Sequence, residues 1–121
     1  ITPPRMVLPA TRTSGPPPLT GRLVVARHWH EKEDEFVYVL GGEVVLVDDH
    51  GEHVLTAGMC AGFKANSGNG HHLINRSDKP AHLLEVGSRH PDEHVRYNEA
   101  DMEAVRRDGK WSITRKDGSE F

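Results

Sequence analysis

Residues 28 to 36 read HWHEKEDEF. Two imidazoles stand two positions apart, a run of carboxylates follows, and an apolar stretch opens at Phe36. Imidazole nitrogen and carboxylate oxygen are donors that divalent transition metals take. On a strand, residues two apart point the same way, so His28 and His30 project together and Trp29 projects to the other face. Glu35 lies an odd number of positions beyond His30, and an unbroken strand would turn it away. The polar tetrapeptide at residues 31–34 must therefore break the strand if Glu35 is to return beside the imidazoles. Val37 and Val39 then share its face, while Phe36, Tyr38 and Leu40 pack on the other. The competing reading is a solvated, mixed-charge turn with two incidental histidines. For Glu31, Glu33 and Asp34, which offer further carboxylates, a solvated turn is the expectation.

A second histidine pair, His71-His72, opens the stretch HHLIN. Neighbours on a strand face opposite sides, so only one of the two can join His28 and His30. The other faces outward or is buried and hydrogen-bonded. Three imidazoles and one carboxylate suit iron, manganese, nickel, copper or zinc. Of the remaining histidines, His50 and His53 flank a DHG turn and are expected to be exposed. His90 and His94 fall in a polar linker and are expected at the surface. His82, in AHLLEVG, could face either way. Trp29 and Tyr38 are expected to serve aromatic packing more than a pocket lining. Cys60 is the single cysteine. It can form no internal disulfide, which points away from secretion and toward the cytoplasm, and its expected role is that of a small buried residue.

These side chains need a frame. The chain has 121 residues, enough for one domain with its own core. Twelve glycines and eight prolines mark many turns. From residue 22 to 87, short β-branched and aromatic runs alternate with turn signals: RLVVARHWH, EFVYVL, EVVLVD, HVLT, CAGF, HHLIN and AHLLEVG. No helix of ten residues fits among them, and the pattern is that of an antiparallel all-β sandwich or barrel. Gly41-Gly42 reads as a tight hairpin. In the tail, ADMEAVRR could make a helical turn, but Asp108-Gly109 before WSIT reads as a hairpin, and β structure is expected there. Residues 1 to 18 carry six prolines and read as an extended arm. A net charge of −3 offers no basic field for a nucleic-acid backbone. No apolar run approaches the roughly 20 residues that span a bilayer. A small molecule is the expected partner.

The stretch H-x-H-x4-E-x6-G, from His28 to Gly42, resembles the first motif of the cupin superfamily. Gly58 to Asn75, with His71 ahead of Asn75, resembles the second, with Lys64 where proline is usual and Asn66 where glycine is usual. The likeness covers about residues 20 to 88. It implies a double-stranded β-helix, a small jelly-roll barrel, over residues 20–121 with a C-terminal β extension, preceded by the arm at residues 1–19. It implies that His28, His30, Glu35 and His71 are metal ligands, leaving open coordination positions. The reading that follows is a metal-dependent enzyme of dioxygenase, isomerase or lyase type, with Glu35 as general base if it detaches. The alternative is a non-catalytic small-ligand module with a structural metal. Sheet edges that need covering suggest a homodimer, with the arm laid along a partner's edge.

Overall fold

The computed structural model describes residues 26–121 and the backbone of one earlier strand, β1 (Arg5–Leu8). Then come β2 (His28–His30), β3 (Glu35–Gly41), β4 (Glu43–Asp48), β5 (Gly51–Thr56) and β6 (Cys60–Phe63). After these come β7 (His72–Ile74), β8 (Ala81–Gly87), β9 (Glu93–Tyr97), β10 (Glu103–Arg107) and β11 (Lys110–Thr114). Every ladder among the described residues is antiparallel. The strands form three sheets, ordered β1-β8-β3-β6, β11-β10-β9-β2 and β5-β4-β7. A bridge between His28 and His71 joins the second sheet to the third. The arrangement fits a jelly roll, although the described strands do not close into a continuous barrel. No helix among the described residues is long and apolar enough to cross a membrane.

Alternation along β3 sets the inside and the outside. Val37 and Val39 are buried, whereas Phe36 and Leu40 are 40% and 47% exposed. The predicted parity holds, but on the outer row Phe36 and Leu40 are open to solvent and only Tyr38 is half-buried. Opposite β3, Ala81 and Leu83 of β8 point inward and are fully buried. Val44, Leu46 and Leu55 from the third sheet complete the core, with Phe63 and Leu73 packed against it. Each such aliphatic side chain contributes about 1.5–3 kcal/mol by leaving water. This core lies behind Glu35, which opens the inward row that Val37 and Val39 continue. By the same alternation His82 falls on the outer face.

Gly42 does not make the expected hairpin. β3 and β4 lie in different sheets, and the chain turns a corner between them. Gly42 has a φ of +82°, and a Cβ there would stand 2.8 Å from the carbonyl oxygen of Pro80 and 2.9 Å from Cα of Ala81. Only glycine combines that left-handed backbone with so close an approach. The glycine pair thus signalled a turn without revealing which sheets it joins.

The tail is a three-stranded meander of β9, β10 and β11. Asp108 and Gly109 both adopt positive φ, 50° and 77°, as a two-residue hairpin demands. ADMEAVRR contributes β10 instead of a helical turn. The segment around His94, expected as a linker, is β9. Cys60 is exposed, not buried, because β6 turns it to the outer face beside Tyr38, its cross-strand partner. Most of the proline-rich arm lies outside the described residues. Arg5–Leu8 pairs with β8 of its own chain. Asn75, the last residue of the second motif, is buried and closes the loop into β8. Its Nδ2 donates to Lys79 O at 2.8 Å, and its Oδ1 accepts from Ser77 N at 3.0 Å.

Candidate metal centre

β2 carries His28 and His30 between two neighbours. On one side it pairs with β9, His28 opposite Tyr97 and His30 opposite Val95. On the other, His71 N donates to His28 O at 2.9 Å and His28 N donates to His71 O at 3.2 Å. The main chains of His28 and His71 therefore hold each other, whatever their side chains do.

Residues 31–34 leave the strand, as the parity of Glu35 required. The break is anchored and not merely solvated. Glu31 N donates to His94 O at 3.1 Å, Ser88 N donates to Asp34 O at 3.0 Å, and Asp34 Oδ1 accepts from Ala65 N at 2.7 Å. Asp34 is exposed, but Glu33 is half-buried and its Oε1 accepts from Arg106 Nη2 at 2.7 Å. Half-buried Glu31 pairs with Arg96. Asn66 adopts a φ of 59° and donates its N–H to His30 O at 2.7 Å. Asparagine is among the non-glycine residues most tolerant of that conformation, so its presence where glycine is usual leaves the backbone in place.

Three imidazoles converge on one carboxylate. His30 Nε2 is in direct contact with Glu35 Oε1. His28 Nε2 lies 3.8 Å from the same oxygen, and His71 Nε2 lies 3.7 Å from Oε2. One donor atom from each of His28, His30 and Glu35 falls within 4.8 Å of the others. The His28 ring centroid is 5.2 Å from that of His30 and 5.0 Å from that of His71. His71, and not His72, joins the cluster, in keeping with the single place that alternation allows. His50 and His53 are exposed.

The surroundings orient these rings. His28 Nδ1 lies 2.9 Å from Ala26 O, which fixes that nitrogen as the N–H donor and leaves the Nε2 lone pair facing Glu35. Phe63 stacks on His71 with centroids 3.6 Å apart and planes 6° from parallel. Yet Glu35 Oε1 and His71 Nε2 are buried without a hydrogen bond of sound geometry. Their separations from one another reflect convergence, not pairing. A buried polar atom left so costs about 1–3 kcal/mol. Burial opposes ionisation of Glu35, but the three imidazoles crowded around it, His28, His30 and His71, outweigh burial and hold the carboxyl far below the usual range. For His30, burial lowers the pKa, and Glu35, followed by Glu93 and Glu33, raises it by more. An anionic oxygen among inward-facing imidazole lone pairs is the donor set that a divalent transition metal takes, so the residues fit one.

Two carboxylates near this cluster were missed in the sequence. Glu85 sits on the inward row of β8, two places after buried Leu83. Burial, and then the charge of Glu35, push its carboxyl upward. The alternation in AHLLEVG was enough to place it inside. Glu93 on β9 is 1% exposed and stands behind His30. A cleft of about 420 Å³ lined by both signs of charge, among them Lys32, Glu93 and Arg106, does not include His28 or His71 in its lining.

The fold and this cluster define a cupin, and the chain belongs to that family: residues 19–87 match the cupin domain model. Among solved structures it is similar to a sugar phosphate isomerase of the cupin superfamily from Silicibacter pomeroyi. The two are 46% identical, with a TM-score of 0.76, over 80% of this chain and 62% of that one. A provisionally assigned sugar phosphate isomerase from Acidithiobacillus ferrooxidans shares the fold at 24% identity and a TM-score of 0.69, over 78% and 60% of the two chains. A predicted oxalate decarboxylase from Thermotoga maritima is 28% identical, with a TM-score of 0.54, over 69% and 61%. The chain thus spans about three fifths of the length of these structures. No match was found among curated proteins.

Proposed function

We propose that this chain is a metal-dependent enzyme on a double-stranded β-helix. It holds one divalent transition metal through His28, His30, Glu35 and His71, and isomerises a small hydroxy-carbonyl substrate of the sugar phosphate type. The convergence of three imidazoles on a buried carboxylate with unmet hydrogen-bonding capacity carries this reading. A divalent cation bound there supplies Lewis-acid polarisation of a substrate oxygen. The chain's own residues do the rest. Ala26 O keeps His28 in the tautomer that presents Nε2. Phe63 keeps His71 edge-on to the site. Glu35 supplies the anionic oxygen. Glu85, on the same inward face and not needed as a ligand, takes a proton from the hydroxyl-bearing carbon and returns it to the former carbonyl carbon, while the hydroxyl proton passes to the former carbonyl oxygen; Glu35 serves in that role if it detaches. The likeness to the Silicibacter pomeroyi isomerase supports isomerisation over dioxygenase or lyase chemistry. A cytoplasmic location and a homodimer belong to the same proposal. The lone cysteine supports the first, and the exposed apolar pair Phe36 and Val86 across β3 and β8 supports the second.

The test is metal analysis of untagged protein, joined to deuterium incorporation from heavy water into a panel of sugar phosphates. Glu85→Gln keeps the metal, since His28, His30, Glu35 and His71 all remain, and loses most of the exchange. Tightly held zinc with no exchangeable water and no exchange on any substrate would instead establish the non-catalytic module, for which four protein donors already fill a tetrahedral shell.

A further inference from the structure

Glu93 is a carboxylate with its side chain wholly buried and no lysine or arginine within ion-pair distance among the described residues. An ionised group so placed is costly unless it is hydrogen-bonded. Its Oε1 accepts from Lys32 N at 3.1 Å and from His94 N at 2.8 Å. Its Oε2 has no hydrogen bond, and it lies 3.9 Å from His30 Nδ1, which is also buried and unpaired. Glu33 approaches the same nitrogen at 3.8 Å, but its charge is taken by Arg106. His28, by contrast, already has a carbonyl behind it. We infer that Glu93 is a positioning residue: its Oε2 accepts the Nδ1–H of His30 and so holds the ring in the tautomer whose Nε2 lone pair faces Glu35.

Donor atoms of His30, Glu33 and Glu93 also lie close enough together to hold a second cation. Two features disfavour it. A neutral imidazole has one lone pair, and a cation on Nδ1 would take the pair that Nε2 needs. Arg106 already supplies positive charge to Glu33. The inference rests on the proposed metal site for its effect on affinity, but not for the tautomer itself.

Glu93→Gln separates these cases. The two backbone N–H groups require an oxygen at the Oε1 position, so the new amide NH2 faces His30 and Nδ1 must become an acceptor. The proton then moves to Nε2, where a ligand is lost. Imidazole 15N NMR of metal-free protein, recorded at alkaline pH once the His30 ring signals no longer titrate, reads the tautomer directly. Zinc competition against a chelator at neutral pH reads affinity. The expected result is Nδ1–H in the wild type, Nε2–H in Glu93→Gln, and zinc bound 10–100-fold more weakly by the variant, with exposed Glu43→Gln unchanged. Nε2–H in the wild type overturns the inference even if the variant fails to fold. So does a variant with tautomer and affinity both unchanged. Loss of a second zinc equivalent with the first intact overturns it in favour of the cation site. A wild type that binds no zinc removes the proposed function, while the tautomer measurement still decides the role of Glu93.

Discussion

Phe63→Leu isolates what the stack on His71 contributes. Phe63 covers one face of the imidazole in near-parallel contact, and His71 has no hydrogen bond at either ring nitrogen. Leucine keeps an apolar side chain against the core but removes the flat surface. The stack itself is worth about 0.5–1.5 kcal/mol to the fold. Its effect on metal affinity is smaller and calculable, because the contact exists with or without the metal. What the substitution changes is pre-organisation. A freed imidazole samples up to three χ1 wells and a two-fold χ2, or about six states. Restricting six states to one costs RT ln 6, about 1 kcal/mol, which is about sixfold in affinity. Burial of His71 on its other side forbids some of those states, so sixfold is the ceiling. Titration of metal-free protein with zinc in competition with a chromophoric chelator measures it, and a melt of the metal-free variant tracks the fold. Affinity unchanged with the fold weakened would show that neighbours other than Phe63 orient the ring. A loss well beyond sixfold would show that Phe63 shapes more of the site than one ring.

Two further outcomes follow from particular atoms. Gly42→Ala places a Cβ against backbone atoms of Pro80 and Ala81 and holds alanine at a positive φ. The cost is about 2–4 kcal/mol, read as a lower denaturation midpoint with an unchanged m-value. The pKa of His30 is raised in the fold, so its stabilising contribution is fully present below the unfolded value of about 6.5 and is lost as pH rises through the folded value. Metal-free protein therefore melts lower at pH 9 than at pH 6. With metal the slope reverses, because a ligand imidazole must be neutral and affinity climbs over the same interval. Parallel slopes with and without metal would detach His30 from the site.

Alternation made much of the centre legible. The i, i+2 spacing of His28 and His30 put the two on one face, the odd step to Glu35 demanded a break that the polar tetrapeptide supplied, and the adjacency of His71 and His72 allowed only one of the two a place; the likeness to the second cupin motif pointed to His71. Glu93 was not legible in the same way. EHVRY has period two, but a glutamate at an inward position reads as surface when its partners, Lys32 N and His30, are some sixty positions away in sequence. Glu33 was hidden for the same reason, since Arg106 lies far along the chain. Gly42 and Cys60 depended on which strands become neighbours, and local composition does not carry that.

The paired backbone hydrogen bonds between His28 and His71 bear on how such a centre diversifies. Most ligand pairs owe their spacing to the atoms they hold, so replacing one donor loosens the whole arrangement. Here the two α-carbons are fixed by main-chain groups that every residue except proline possesses. Cysteine, aspartate or glutamine at either position would inherit the same anchor and the same direction of approach. In the proposed metal centre the choice of donor is therefore decoupled from the integrity of the frame, and metal preference is open to rewriting one side chain at a time. A library at residues 28 and 71, screened first for folding and then for which metal each member retains, should yield many folded proteins with unlike selectivities.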